Sequence, residues 1–195
     1  MGFYEWYCEN IVEKGYLIRK KEKTLQFIDL KAQYQALKTE IDANINAVLE
    51  AGQFIGGPQV KELEQKLAEY VGCKHCITCA NGTDALQIAY MVYGIGEGDE
   101  VITTPMTFCS TVNTILNCGA KPVFVDVDAE TGLIDPNEIE KAVTERTKAI
   151  LPVHYAGLVC DMDRINEIAE KYGLMVIEDA AHGLTSEYKG KQVGS

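Results

Sequence analysis

From Leu30 onward, apolar residues recur mostly at steps of three and four: Leu30, Tyr34, Leu37, Ile41, Ile45, Val48 and Leu49. That spacing predicts one apolar stripe on a helix, ended by Gly52. A loop follows, Gln53-Phe54-Ile55-Gly56-Gly57, and Pro58 suits the first turn of a second helix. This helix is expected to bury Val60, Leu63, Leu67 and Tyr70 and to stop at Gly72. The pattern then changes to short apolar runs alternating with helical stretches. Strands are predicted at 74–79, 100–104, 122–127, 148–153 and 174–178, and helices at 83–93, 108–118 and 162–172. Asp135-Pro136-Asn137-Glu138 reads as another helix start, with Asp135 as cap and Glu138 reaching back to it. A short antiparallel pair is expected around Lys189-Gly190-Lys191. Repeated β–α units of this length imply an α/β fold: a mainly parallel sheet with helices on both faces.

The chain has 195 residues, 47% hydrophobic and 24% charged, within the range of a single globular domain. Its net charge of -11 argues against nucleic acid or an anionic membrane as partner, although local backbone donors can still hold an anion. No apolar run approaches the ~20 residues a membrane span needs. The N-terminus lacks the features of a secretory signal, and the seven cysteines are an odd number. A cytoplasmic protein with reduced thiols is the expectation. Residues 1–24 differ from the rest. Aromatic Phe3, Tyr4, Trp6 and Tyr7 crowd together ahead of basic Arg19, Lys20, Lys21 and Lys23, which reads as an appended extension.

Candidate chemistry centres on Leu174 to Ile177, an apolar run that ends in Glu178-Asp179-Ala180-Ala181-His182-Gly183. The acids fall at a strand's carboxyl end, where open parallel sheets bind ligands. A carboxylate there is costly to bury without a positive partner. Asp179 can meet a protonated pyridine nitrogen, cap the next segment, or pair with a Lys or Arg. Asn81-Gly82-Thr83-Asp84, between a strand and a helix, offers unpaired N–H groups, close backbone approach at Gly82 and the Thr83 hydroxyl. It suits a phosphate, and a plain helix cap accounts for the same residues. Phe108 can stack on a flat ring or be buried at a helix start. His154, at another strand end, can line the site or be structural. Cys73, Cys76 and Cys79 have cluster-like spacing, but a strand would send neighbouring thiols to opposite faces, so no metal is assigned. Gly94-Ile95-Gly96-Glu97-Gly98 follows a helix and precedes a strand, the reverse of a dinucleotide loop, and reads as a turn.

Taken in order, these stretches resemble the DegT-type sugar aminotransferases, pyridoxal phosphate enzymes of fold type I. The matching text includes Gly52-Gln53-Phe54-Ile55-Gly56-Gly57-Pro58, Asn81-Gly82-Thr83-Asp84-Ala85-Leu86, Pro105-Met106-Thr107-Phe108, Pro152-Val153-His154-Tyr155-Ala156-Gly157, Glu178-Asp179-Ala180-Ala181-His182-Gly183 and Tyr188-Lys189-Gly190-Lys191. The resemblance implies that residues 25–195 are the N-terminal part of the cofactor-binding large domain. It implies pyridoxal 5'-phosphate as cofactor. Gly82 and Thr83 would hold the phosphate, Phe108 would stack on the ring, Asp179 would pair with the ring nitrogen and His182 would lie near the ring hydroxyl. Phe54 and His154 would face the substrate.

The resemblance implies a reaction that moves an amino group, with glutamate as the family's usual donor, to a nucleotide-linked keto sugar in cell-surface polysaccharide or amino-sugar synthesis. Homodimers are usual in the family. The family's Schiff-base lysine would lie beyond Ser195, so no catalytic residue is assigned and this chain alone is expected to be inactive. A non-catalytic remnant that binds cofactor or a partner, and a related sugar dehydratase, are the alternatives.

Overall fold

The computed structural model describes residues 28–195. The aromatic and basic extension at 1–24 lies outside the described residues. The chain divides into two compact units, one ending at Ile55 and the other running from Gly56 to Ser195.

In the first unit, helix α1 (Leu30–Ala51) is capped by Asp29, whose side chain accepts the Ala32 N–H, and ends at left-handed Gly52. The helix is where the periodicity places it. Its stripe is not buried: Leu37, Ile45 and Leu49 are exposed.

The second unit opens with helix α2 (Pro58–Val71), which has Pro58 in its first turn and Gly72 as a left-handed end. It buries no residue fully, and Leu63 and Tyr70 are half exposed, contrary to the expected buried face. Residues 74–79 do not form the expected strand. The segment has strand composition, but a strand exists only with a partner, and none pairs with it among the described residues.

Helix α3 (Gly82–Tyr93), strand β1 (Glu100–Thr103), helix α4 (Cys109–Asn117), strand β2 (Lys121–Phe124), helix α5 (Pro136–Ala142) and strand β3 (Thr147–Leu151) follow. A 3-10 turn at Tyr155–Gly157, helix α6 (Met162–Tyr172) and strand β4 (Met175–Val176) complete the alternation. A hairpin of β5 (Glu187–Tyr188) and β6 (Lys191–Gln192) comes last, turning where expected. The first four strands form one sheet in the order β2-β1-β3-β4, every pair parallel.

Alternation along β1 and β3 builds two cores. Val101, Ala149 and Leu151 face Leu86, Tyr90 and Ile115 of α3 and α4. Ile102 and Ile150 face the other way, onto Ile139, Ile165 and Ile168 of α5 and α6. Both faces of the sheet are therefore covered, which is why its strands read as continuous apolar runs. One local expectation fails at α5. Asp135 caps by accepting the Asn137 N–H, but Glu138 does not reach back. Its carboxylate takes Lys141 instead, and the Asp135 N–H is already given to the Asp126 carbonyl.

At the amino end of β1, the buried Glu100 accepts hydrogen bonds from Thr144 Oγ1 (2.6 Å), Arg146 Nη2 (2.8 Å) and Lys121 Nζ (3.1 Å). The Thr144 hydroxyl first, then the Arg146 guanidinium, holds its carboxyl down at about 2. This network ties β1 to the start of β3 at the end of the sheet away from the strand carboxyl ends.

Candidate active site

β1 and β3 are neighbours, and the connection after β1 runs to β2 on one side while that after β3 runs to β4 on the other, so the strand order reverses between them. A crevice at the strand carboxyl ends is the consequence of such a switch. A hollow of about 520 Å³ lies there. Its wall includes Gly82, Thr83, Phe108, Asp179 and His182, together with Thr107 and Tyr155. Five residues from three separated stretches of the sequence, proposed for one ligand, therefore share one space.

The floor near α3 is a helix N-terminus. Asn81 Oδ1 accepts the Asp84 N–H at 2.9 Å, and the Asn81 carbonyl accepts the Ala85 N–H. Capping thus satisfies the third and fourth residues of the turn. The N–H groups of Gly82 and Thr83 have no acceptor among the described residues. The cap reading of this stretch is realised in Asn81, and the two N–H groups next to it stay available for an anion. A Cβ added to Gly82 would meet nothing within 4 Å, so the space above it is open.

Phe108 is the N-cap residue of α4 and is 74% exposed, so it is not the buried Phe of the alternative reading. Its ring forms part of the hollow wall.

Asp179 follows β4 and continues the parallel pairing by a bridge to Val153. Its backbone is held twice by one neighbouring segment: its N–H donates to the Pro152 carbonyl and its carbonyl accepts the His154 N–H. The carboxylate is half-buried. Oδ1 accepts the Ala181 N–H at 3.2 Å and Oδ2 accepts the Thr111 hydroxyl at 2.9 Å. No Lys or Arg pairs with it among the described residues. A carboxylate that is partly desolvated, oriented by neutral donors and left without a cation can accept a positively charged ligand atom.

His182 Nδ1 accepts the Ala156 N–H at 3.2 Å, so in the neutral ring Nε2 carries the proton, with no acceptor for it among the described residues. Tyr155 packs edge-on against the imidazole, 6.1 Å between centroids. Ala156 adopts φ 54, a left-handed conformation uncommon for alanine, which aims its N–H at the histidine. The Ser186 hydroxyl donates to the Gly157 carbonyl at 2.7 Å and ties the two turns together.

One expected site residue falls elsewhere. His154 is fully buried and does not line the hollow. Its Nδ1 accepts the Cys160 N–H and its Nε2 lies 2.7 Å from Glu178 Oε2. Burial, and then Glu178, push the Cys160 thiol up to about 11, leaving it unreactive near neutral pH. Phe54 is exposed and belongs to the first unit. Thr107 and Thr111 were not singled out from the sequence. Thr111 lies in the first turn of α4, and a threonine there gives no signal of its own, since Thr103, Thr104, Thr107 and Thr114 surround it.

Residues 35–195 match the DegT/DnrJ/EryC1/StrS aminotransferase family. The chain belongs to that family. Among DegT/DnrJ/EryC1/StrS relatives, the UDP-2-acetamido-2-deoxy-3-oxo-D-glucuronate aminotransferase of Pseudomonas aeruginosa is 55% identical over 86% of this chain and 47% of its own length. Among solved structures, DesV from S. venezuelae is 40% identical with a TM-score of 0.85, covering 89% of this chain and 47% of DesV. NtdA from Bacillus subtilis, solved with bound cofactor PMP, is 35% identical with a TM-score of 0.82, covering 88% of this chain and 40% of NtdA. The chain thus spans under half the length of each. Among the described residues, no helix is long and apolar enough to cross a membrane.

Proposed function

We propose that the hollow holds pyridoxal 5'-phosphate, and that the chain is the cofactor-binding part of an aminotransferase acting on a nucleotide-linked keto sugar in the cytoplasm, with glutamate as amino donor. The observation that carries this is the uncompensated Asp179 carboxylate in one hollow with the two unpaired N–H groups of α3. A phosphorylated pyridinium has one group for each end. When bound, the cofactor supplies an electron sink for a carbanion at the substrate carbon.

The chain's own residues supply the setting. The Gly82 and Thr83 N–H groups, with the positive end of the α3 dipole, bind the phosphate. The Asp179 carboxylate holds a proton on the ring nitrogen. Phe108 covers a ring face, and His182 Nε2–H is the donor available to the ring hydroxyl. The fit rests on size as well as charge, since the hollow is in the ordinary range for a small-molecule site. The relatives' names supply the sugar-nucleotide class and the DegT membership supplies the reaction type.

The test is a titration of the purified chain with pyridoxamine 5'-phosphate, which has no aldehyde to label surface lysines. Saturable binding that weakens at least tenfold in Asp179→Asn supports the reading. Absence of binding, or binding indifferent to Asp179→Asn, contradicts it.

A further inference from the structure

Asp179 is held from two directions. Ala181 N–H, two residues on, fixes Oδ1, while Oδ2 is fixed by Thr111, which comes from a different element, α4. Thr111 is fully buried. Its hydroxyl has one proton, and that proton is committed to the carboxylate, which can only accept when ionised. Thr107 Oγ1 lies 2.8 Å from Thr111 Oγ1. With the Thr111 proton spent, Thr107 must be the donor in that pair. The result is a directed relay, Thr107 to Thr111 to Asp179, that starts on the hollow wall and ends at the carboxylate.

We infer that Thr111, backed by Thr107, is a positioning residue for the cofactor: it pins the Asp179 carboxylate so that its remaining lone pairs point at the ring nitrogen. This inference rests on the hollow being the cofactor site. The physical logic is one of orientation without neutralisation. A Lys or Arg at this position would also fix the carboxylate, but would compete with the pyridinium for its charge. Two neutral donors fix its plane and leave the charge for the ligand. The relay adds a second benefit, because a hydroxyl that accepts a hydrogen bond becomes a better donor itself. The two threonines also come from the stretch after β1, while Asp179 comes from the stretch after β4. Their bond therefore links two walls of the hollow across the switch point.

The test uses the purified chain and pyridoxamine 5'-phosphate labelled with ¹⁵N in the ring, read both as a dissociation constant and as the ring-nitrogen resonance. Thr111→Val keeps the shape and removes the hydroxyl. It is expected to weaken binding about tenfold, the effect of losing one hydrogen bond to a charged group, and to move the resonance toward unprotonated pyridine. Thr111→Ser is expected to restore both to within about twofold of the unaltered chain. Thr107→Val is expected to shift both in the same direction by about threefold in affinity. An unchanged affinity and resonance in folded Thr111→Val overturns the inference, as does Thr111→Ser behaving like the valine variant. Should Thr111→Val not fold, Thr107→Val decides: an unchanged resonance and affinity there overturns it. No binding by the unaltered chain removes the cofactor reading and this inference together. Binding by the unaltered chain with an indifferent Thr111→Val removes this inference alone.

Discussion

His154 gives its Nε2 proton to Glu178 across 2.7 Å while its Nδ1 accepts the Cys160 N–H, so one imidazole bridges the ends of β3 and β4 and the turn that follows. The tautomer is fixed by that backbone donor. The residue is fully buried, and its backbone N–H is one of the two bonds that hold Asp179. His154→Ala removes buried volume and leaves the Cys160 N–H without its acceptor. A loss on the order of 3 kcal/mol in denaturant unfolding is expected. A loss below about 1 kcal/mol contradicts a structural role for this residue.

Gly183 closes the turn after His182 under steric pressure. A Cβ there would stand 2.9 Å from Val193 Cγ1 and 3.2 Å from the Ala180 Cβ. Gly183→Ala is expected to cost about 1–3 kcal/mol, as overpacking does. Adding Val193→Ala removes the nearer clash, so the double variant is expected to recover part of the loss. A strictly additive double variant in a thermodynamic cycle contradicts the contact.

The Glu100 network predicts a pH dependence. Its carboxyl sits at about 2 in the folded chain against an ordinary 4.5. The unfolded chain therefore takes up this proton first as pH falls. The network's contribution is full above about pH 4.5 and is lost as pH drops toward 2. Glu100→Gln is expected to cost roughly 1–2 kcal/mol at pH 7, with the gap to the unaltered chain closing across that acid window. A gap that stays constant from pH 7 to pH 3 contradicts the assignment.

Chemistry needs more than the hollow contains. No lysine is among its lining residues, so among the described residues nothing is placed to form a covalent bond with an aldehyde or to carry a substrate proton by an amine. The chain by itself, given cofactor, glutamate and a keto-sugar nucleotide, is expected to show no multiple turnover. Steady product formation over many turnovers contradicts this.

Much of the candidate site was legible because its parts sit where local chemistry marks them. Gly82 and Thr83 follow a capping Asn81, and Asp179 and His182 follow an apolar run that stops abruptly. The sheet was legible for the same reason, since strands covered on both faces read as unbroken apolar runs. What the sequence hides depends on partners. Residues 74–79 have strand composition without a strand beside them. Leu63 and Tyr70 have core spacing without a covered face. Glu138 suits a capping box, but the N–H it would serve is already taken by Asp126. Thr111 is an ordinary residue in sequence, and His154 marks a strand end without showing its partner; only the fold reveals that each touches the stretch around Asp179.

A structure of the chain with pyridoxamine 5'-phosphate bound tests the central claim most directly. The account predicts the phosphate at the Gly82 and Thr83 N–H groups, with the ring nitrogen against Asp179 and a ring face on Phe108. A cofactor seated outside this hollow, or seated within it with its ring nitrogen turned away from Asp179, contradicts the account.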